Sequence, residues 1–165
     1  GCNNITTQVE DVEAQQQNNH LLKTIIDYVP VNVYIKDFNS RKILANKAEC
    51  KFMNMAEEDI IGKSDWELYP ENTASISIDE DRQVLNGQMI INRKTQNIKK
   101  DGTVTHFLTS KIPVATSGGS NDHIIGISVD ITELQEQANT LNHYKQLLET
   151  SNEAARIGTW EINLA

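Results

Sequence analysis

The chain has 165 residues and a formal charge of −8, which suits one domain of about 100–150 residues plus flanking segments. The acidic balance argues against nucleic acid, whose phosphates reward clustered Lys and Arg, and against direct contact with an anionic membrane surface. No apolar run approaches the roughly 20 residues of a membrane span, and no secretory leader is recognisable. Gly1 stands where an initiator Met would be, so the sequence reads as a piece of a longer parent. The two cysteines, Cys2 and Cys50, form no C-x-x-C pattern. They point to a reducing cytosol with Cys50 unpaired.

Residues 1–29 read as a helix. Ile5, Val9, Val12, Gln16, Asn19, Lys23 and Ile26 follow alternating four- and three-residue steps, a heptad seam with polar interruptions. The seam widens at Leu21, Leu22, Ile25, Ile26 and Val29, as though the helix there packs on a domain, and Pro30 ends it. Val31–Asp37 is the first predicted strand, with Val33 and Ile35 on one face and Tyr34 and Lys36 on the other. Phe38-Asn39-Ser40 makes a turn, with Asn39 expected to take a positive φ. Arg41–Ala45 is a second strand, and Asn46 is placed to cap a helix over Lys47–Asn54. A short helix beginning in the acidic run Glu57-Glu58-Asp59 stops at Gly62. Ser64–Pro70 holds another helical turn, and Asn72–Asn86 a longer helix with Gly87 as its C-terminal cap.

Three strands follow. Gln88–Lys99 and Thr103–Ala115 flank Lys100-Asp101-Gly102, where Asp-Gly signals a hairpin. Thr116–Asp122, with Gly118 and Gly119, is a longer and mobile loop. His123–Asp130 is the last strand, placing Ile125, Ile127 and Val129 on one face. The period then changes. Asp130, Ile131 and Thr132 form a short hinge whose side-chain oxygens can cap a helix start, and Thr132-x-x-Gln135 fits a capping box. The helix beyond carries Leu134, Ala138, Leu141, Lys145, Leu148, Asn152 and Ala155 at heptad spacing and spans on the order of 35–40 Å. Gly158 is expected to break it, leaving Trp160, Ile162 and Leu164 to alternate like a new strand. The order of elements predicts an α+β fold: one antiparallel sheet with helices on one face.

These residues, taken together, resemble a PAS domain over about Leu22–Leu134. The resemblance is carried by the VYIKD strand, the strand-to-helix step Lys42–Ala48, Ile61-Gly62-Lys63-Ser64-Asp65, the hairpin Lys100–Thr103 and the closing Asp130-Ile131-Thr132. It implies a five-stranded antiparallel sheet, order 2-1-5-4-3, cupping a small pocket under the helices. It divides the chain into an N-terminal coiled-coil-like helix (1–29), a PAS core (30–131), a C-terminal signalling helix (132–155) and the start of a second PAS domain (156–165). A homodimer through the flanking helices is implied, with Val9, Val12, Leu134, Ala138, Leu141 and Leu148 as its seam. The other implied partners are the adjacent PAS and output domains of the parent. A cytoplasmic module of a bacterial sensor histidine kinase is the leading expectation. A diguanylate cyclase, a chemoreceptor or a ligand-free spacer is the alternative.

No catalytic constellation is present, so catalysis is expected from the parent and not from this segment. Candidate pocket residues are Val33, Ile35, Ile43, Phe52, Met53, Trp66, Leu85, Ile91, Phe107, Thr109, Ile125 and Ile127. The plain alternative is that they fill a core. The resemblance implies that a haem would take its axial His from the long helix before the last three strands and a flavin its reactive Cys from the stretch near Asp65–Leu68; Asn72–Asn86 holds no His and SDWEL no Cys, so both are disfavoured. The cofactor is thus undetermined, with a small organic metabolite still open and no metal expected. His143 lies outside any phosphoacceptor-like stretch and reads as a solvated helix residue. Glu57, Glu58 and Asp59 are consecutive and point apart.

Overall fold

A computed structural model describes residues 2–164, with side chains over 3–158. Its elements are α1 (Cys2–Tyr28), β1 (Asn32–Asp37), β2 (Lys42–Ala45), α2 (Lys47–Met53), α3 (Glu57–Ile60), α4 (Asp65–Leu68), α5 (Glu71–Leu85), β3 (Ile90–Ile98), β4 (Val104–Val114), β5 (His123–Asp130) and α6 (Thr132–Leu164). The chain separates into two units, residues 1–130 and 131–165.

In the first unit the five strands form one antiparallel sheet in the order β2-β1-β5-β4-β3, the expected PAS topology. Local chemistry explains the joints. Asn46 is fully buried, and its Oδ1 accepts from the backbone N–H of Glu49 and Val33 while its Nδ2 donates to the carbonyls of Ile26 and Val31. One side chain thus caps α2 and ties it to β1 and to the end of α1. Lys23 and Asp27 secure the same end of α1: Lys23 Nζ donates to the Ala45 carbonyl, and Asp27 Oδ1 accepts from Lys47 N–H. Ser64 and Glu67 form a reciprocal capping box on α4. Gly62, at φ +83°, and Gly87, at φ +98°, end α3 and α5 in the left-handed conformation that a Cβ disfavours.

One sequence expectation changes here. The positive φ in the β1–β2 turn belongs to Ser40, not Asn39. Asp37 Oδ1 accepts from the N–H groups of Asn39 and Arg41, an Asx-type turn that moves the strained residue one place on. The loop after β4 is tied by Asp122, which accepts from both the N–H and the hydroxyl of Thr116.

The apolar core is split. Ala45, Ile60, Leu68, Tyr69 and Ala74 form one buried cluster; Val84, Ile90 and Ile124 form another. Between them the helix-facing side of the sheet is polar. Along β1 the buried residues are Asn32, Tyr34 and Lys36; along β5, Ile124, Gly126 and Ser128; along β4, Thr105, Phe107, Thr109 and Lys111.

In the second unit α6 begins at Thr132 and its first turn closes through Gln135 N–H to the Ile131 carbonyl. It continues through Gly158, where a break was expected. A single glycine inside a long helix costs only about 1 kcal/mol against alanine, too little to end it. Trp160, Ile162 and Leu164, expected to alternate as a strand opening a second domain, are instead helical within α6; their side chains lie outside the described residues. Leu134, Leu141 and Leu148 are exposed along α6, as are Val9 and Val12 along α1. Among the described residues no helix is long and apolar enough to cross a membrane.

Candidate functional site

A cavity of about 80 Å³ lies between the inner face of the sheet and helices α2, α4 and α5. Three lysines reach it from three strands: Lys36 from β1, Lys42 from β2 and Lys111 from β4. They are 1%, 2% and 2% exposed. Burying an ammonium without a partner costs several kcal/mol, and each lysine has carboxylate partners supplied by the helices. Lys36 Nζ donates to Asp65 Oδ2 and to Asp81 Oδ2, both at 2.7 Å. Lys111 Nζ donates to Asp81 Oδ1 at 2.8 Å and to the Ser77 carbonyl and hydroxyl at 3.1 and 3.0 Å, with Glu80 Oε2 at 3.1 Å. Lys42 Nζ donates to Glu49 Oε1, whose other oxygen accepts from Asn32 Nδ2 at 2.9 Å. Asp81 thus joins two lysines on different strands through one carboxylate, and Glu80 continues to Arg93 at the rim.

The electrostatics follow from this pairing. Burial alone would push the Asp65 carboxyl up, but the adjacent ammonium groups of Lys36 and Lys42 outweigh it and hold it at about 2. Burial alone would push Lys36 down, yet Asp65 and Asp81 raise it well above its usual value. The phenols of Tyr34 and Tyr69 are both raised, chiefly by burial. Lys42 Nζ stands 4.9 Å from the Tyr34 ring centroid and 5.5 Å from that of Tyr69, so the two rings and the ammonium share one wall. The Tyr34 ring lies directly on Gly126, its cross-strand partner; a Cβ there would fall 2.1 Å from the ring carbons.

Of the twelve expected pocket residues, Phe52, Phe107 and Thr109 line the cavity. Phe52 and Phe107 meet edge to face, with centroids 5.0 Å apart. Thr109 joins Thr95 and Ser128 in a hydroxyl chain. The other nine stand elsewhere. Val33, Ile35, Ile125 and Ile127 alternate with the buried residues and so occupy the opposite face of the sheet. Ile43, Trp66 and Ile91 are exposed; at Ile91 a register shift, with Asn92 at φ 50°, interrupts the pairing of β3 with β4. Met53 packs on the first apolar cluster and its Sδ accepts from the Tyr69 hydroxyl, while Leu85 packs on the second cluster.

The reason is physical. Period-two alternation decides which side chains share a face, but not which face the helices cover. The preference for burying apolar groups selects the wrong one here, because the helices bring matching charge. One signal was legible: Asp81 lies three residues from both Ile78 and Val84, on the apolar stripe of α5, where a carboxylate needs a buried cation.

The hinge and seam residues are spread over separate elements. Asp130 ends β5 opposite Phe107 on β4, Ile131 opens the second unit, and Thr132 is the first residue of α6. Ala138, like the three leucines of the seam, is exposed on α6.

Comparison with known proteins fits this architecture. The family model described as the PAS fold matches residues 26–136. The chain belongs to the PAS family. It is similar to the methanogenesis regulatory histidine kinase FilI of Methanothrix harundinacea, at 26% identity over 81% of this chain and 15% of that protein. It is also similar to the C4-dicarboxylate transport sensor protein DctS of Rhodobacter capsulatus, at 23% identity over 82% of this chain and 21% of that protein. The PAS chain thus spans about a fifth or less of the length of these relatives. A solved PAS domain, that of BvgS from Bordetella pertussis, superposes with a TM-score of 0.58 at 21% identity, covering 79% of this chain and 98% of that one. A PAS domain is a sensory module of signalling proteins and is not itself catalytic.

Proposed function

We propose that this PAS domain is the sensing and relay segment of a cytoplasmic multidomain sensor, in the first instance a histidine kinase. In this reading a small ligand enters the cavity beneath α2, α4 and α5. The cavity carries the proposal: a spacer gains nothing from burying three lysines around a space, whereas a sensor gains a polar site coupled to several elements at once. The lysines come from β1, β2 and β4 and their carboxylates from α2, α4 and α5, so occupancy can alter pairing across the whole first unit. Asp130, Ile131 and Thr132 pass that change to α6. The exposed seams of α1 and α6 pair in a homodimer. Residues 156–165 lead toward a further domain of the parent.

Native mass spectrometry of the purified chain, with an absorbance scan of the same sample, tests the sensing half. A mass excess lost on denaturation supports it; a clean chain mass that no metabolite extract alters favours the spacer. Sedimentation velocity tests the dimer: Leu141→Lys is expected to shift it toward monomer. In the full-length parent, Asp130→Ala with Thr132→Ala is expected to uncouple input from output; normal signalling would reject the relay. A diguanylate cyclase of Vibrio cholerae is 24% identical over 88% of this chain, so cyclase output is the second reading for the parent.

A further inference from the structure

The cavity distinguishes donors from acceptors, and that distinction bears on what can bind. Lys36 meets three acceptors, Asp65 Oδ2, Asp81 Oδ2 and Ser77 Oγ, with its three N–H groups. Lys111 meets four, the Ser77 carbonyl, Ser77 Oγ, Asp81 Oδ1 and Glu80 Oε2. Lys42 gives one N–H to Glu49 and otherwise faces the rings of Tyr34 and Tyr69. The donor capacity of two of the three cations is therefore used up within the protein.

Lys42 keeps two N–H groups against the tyrosine rings, but the atoms wholly without a partner are acceptors. Among the described residues the buried side-chain nitrogen and oxygen atoms that lack a hydrogen-bond partner are Asp65 Oδ1, on α4, and Asn97 Oδ1, on β3. Both residues line the cavity, and Asp65 is 1% exposed. A buried acceptor left unpaired has lost its hydration with nothing in return, a cost that a ligand donor would recover. Charge points the same way. The buried charged side chains around the cavity are Lys36, Lys42 and Lys111 against Glu49, Asp65, Glu80 and Asp81, and Arg93 at the rim balances Glu80. An added anion would enter a site with no surplus positive charge.

We infer that the cavity selects a small neutral or singly cationic molecule that donates N–H hydrogen bonds, an amide or amine, and rejects carboxylates. Its size is consistent with this: a dry cavity of about 150 Å³ accommodates benzene, so about 80 Å³ takes a ligand of a few non-hydrogen atoms. The inference rests on the sensing reading above and specifies its ligand. It sets this chain apart from its relative DctS, a sensor protein named for C4-dicarboxylate transport.

The test is titration of the ¹⁵N-labelled 165-residue chain with acetamide and methylammonium chloride in one series, and sodium acetate and succinate in another. The readout is the Asn97 side-chain amide and the Phe107 and Thr109 backbone signals. Saturable shifts with the N–H donors and none with the acids are expected. Asn97→Leu, on an accessible strand, and Asp65→Asn each weaken donor binding at least ten-fold; the first keeps the test open if the second does not fold. Saturable binding of the acids without the donors overturns the donor assignment and leaves sensing intact. Donor binding unchanged in folded Asn97→Leu also overturns it. No saturable response to either series overturns both readings.

Discussion

Lys36→Met removes the ammonium while keeping an unbranched apolar stem in its place. The substitution leaves Asp65 Oδ2 and Asp81 Oδ2 without their 2.7 Å contacts; Asp81 keeps Lys111 at 2.8 Å, whereas Asp65 has no other ion-pair contact among the described residues. Breaking a buried pair from one side costs about 3–5 kcal/mol. The Asp65 carboxyl points the same way: burial pushes it up, yet the neighbouring ammonium groups, Lys36 foremost, hold it below its usual range at about 2. The sign with pH is also fixed. In the native protein the Asp65 contribution is present above about pH 4 and is lost as pH falls toward 2, because the folded form holds its proton less tightly than the unfolded form. In the variant, burial is no longer offset by Lys36, so the carboxyl rises and protonation relieves the defect. Urea unfolding followed by circular dichroism at pH 7 and pH 5, on both proteins, measures the gap. The expected loss is about 3 kcal/mol at pH 7 and smaller at pH 5, with Asp65→Asn restoring part of it in the double variant. A loss below about 1 kcal/mol at pH 7, or a gap that does not narrow at pH 5, refutes the reasoning.

Gly126→Ala drives a methyl into the Tyr34 ring; thermal unfolding should show an overpacking cost of about 1–3 kcal/mol, and an unchanged melting temperature would mean that the ring is not seated there. Asn46→Ala removes four hydrogen bonds at the junction of α1, β1 and α2 and should destabilise by about 2–4 kcal/mol in urea unfolding, above the ~1 kcal/mol of an ordinary cap. On alkaline titration, Tyr34 and Tyr69 should ionise only as the fold is lost. Their raised phenols and the raised Lys36 all release protons more readily unfolded, so stability should fall as pH rises above about 10. Absorbance at 295 nm with parallel circular dichroism checks this; full ionisation of a still-folded protein would contradict it.

Much of the fold was legible because its signals are local. Pro30, Asn46, Gly62, Gly87 and Asp101-Gly102 each punctuate the chain by a conformational rule that needs no distant partner. The helix starts and stops follow from those rules to within a residue or two. The turn at Asp37–Arg41 was less legible, because a side chain of Asp37 decides which residue takes the positive φ. Gly158 shows the converse: the local penalty is real, yet smaller than the propagation of a long helix.

The candidate site was legible only in part. Phe52, Phe107 and Thr109 were recognised; Lys36, Lys42, Lys111, Glu49, Asp65 and Asp81 were not. Each of those six, read alone, belongs on a solvated surface. They can be buried only because lysines from three strands meet carboxylates from three helices, a pairing between residues up to 45 positions apart that no local pattern contains. The sequence by itself determined the elements and their order, since these rest on periodicity, caps and turns acting over a few residues; the strand order 2-1-5-4-3 was available only through the resemblance to PAS domains. Tertiary structure alone decided which face of the sheet lies inward. That choice depends on desolvating several charges at once, and it is favourable only when every partner is already in place.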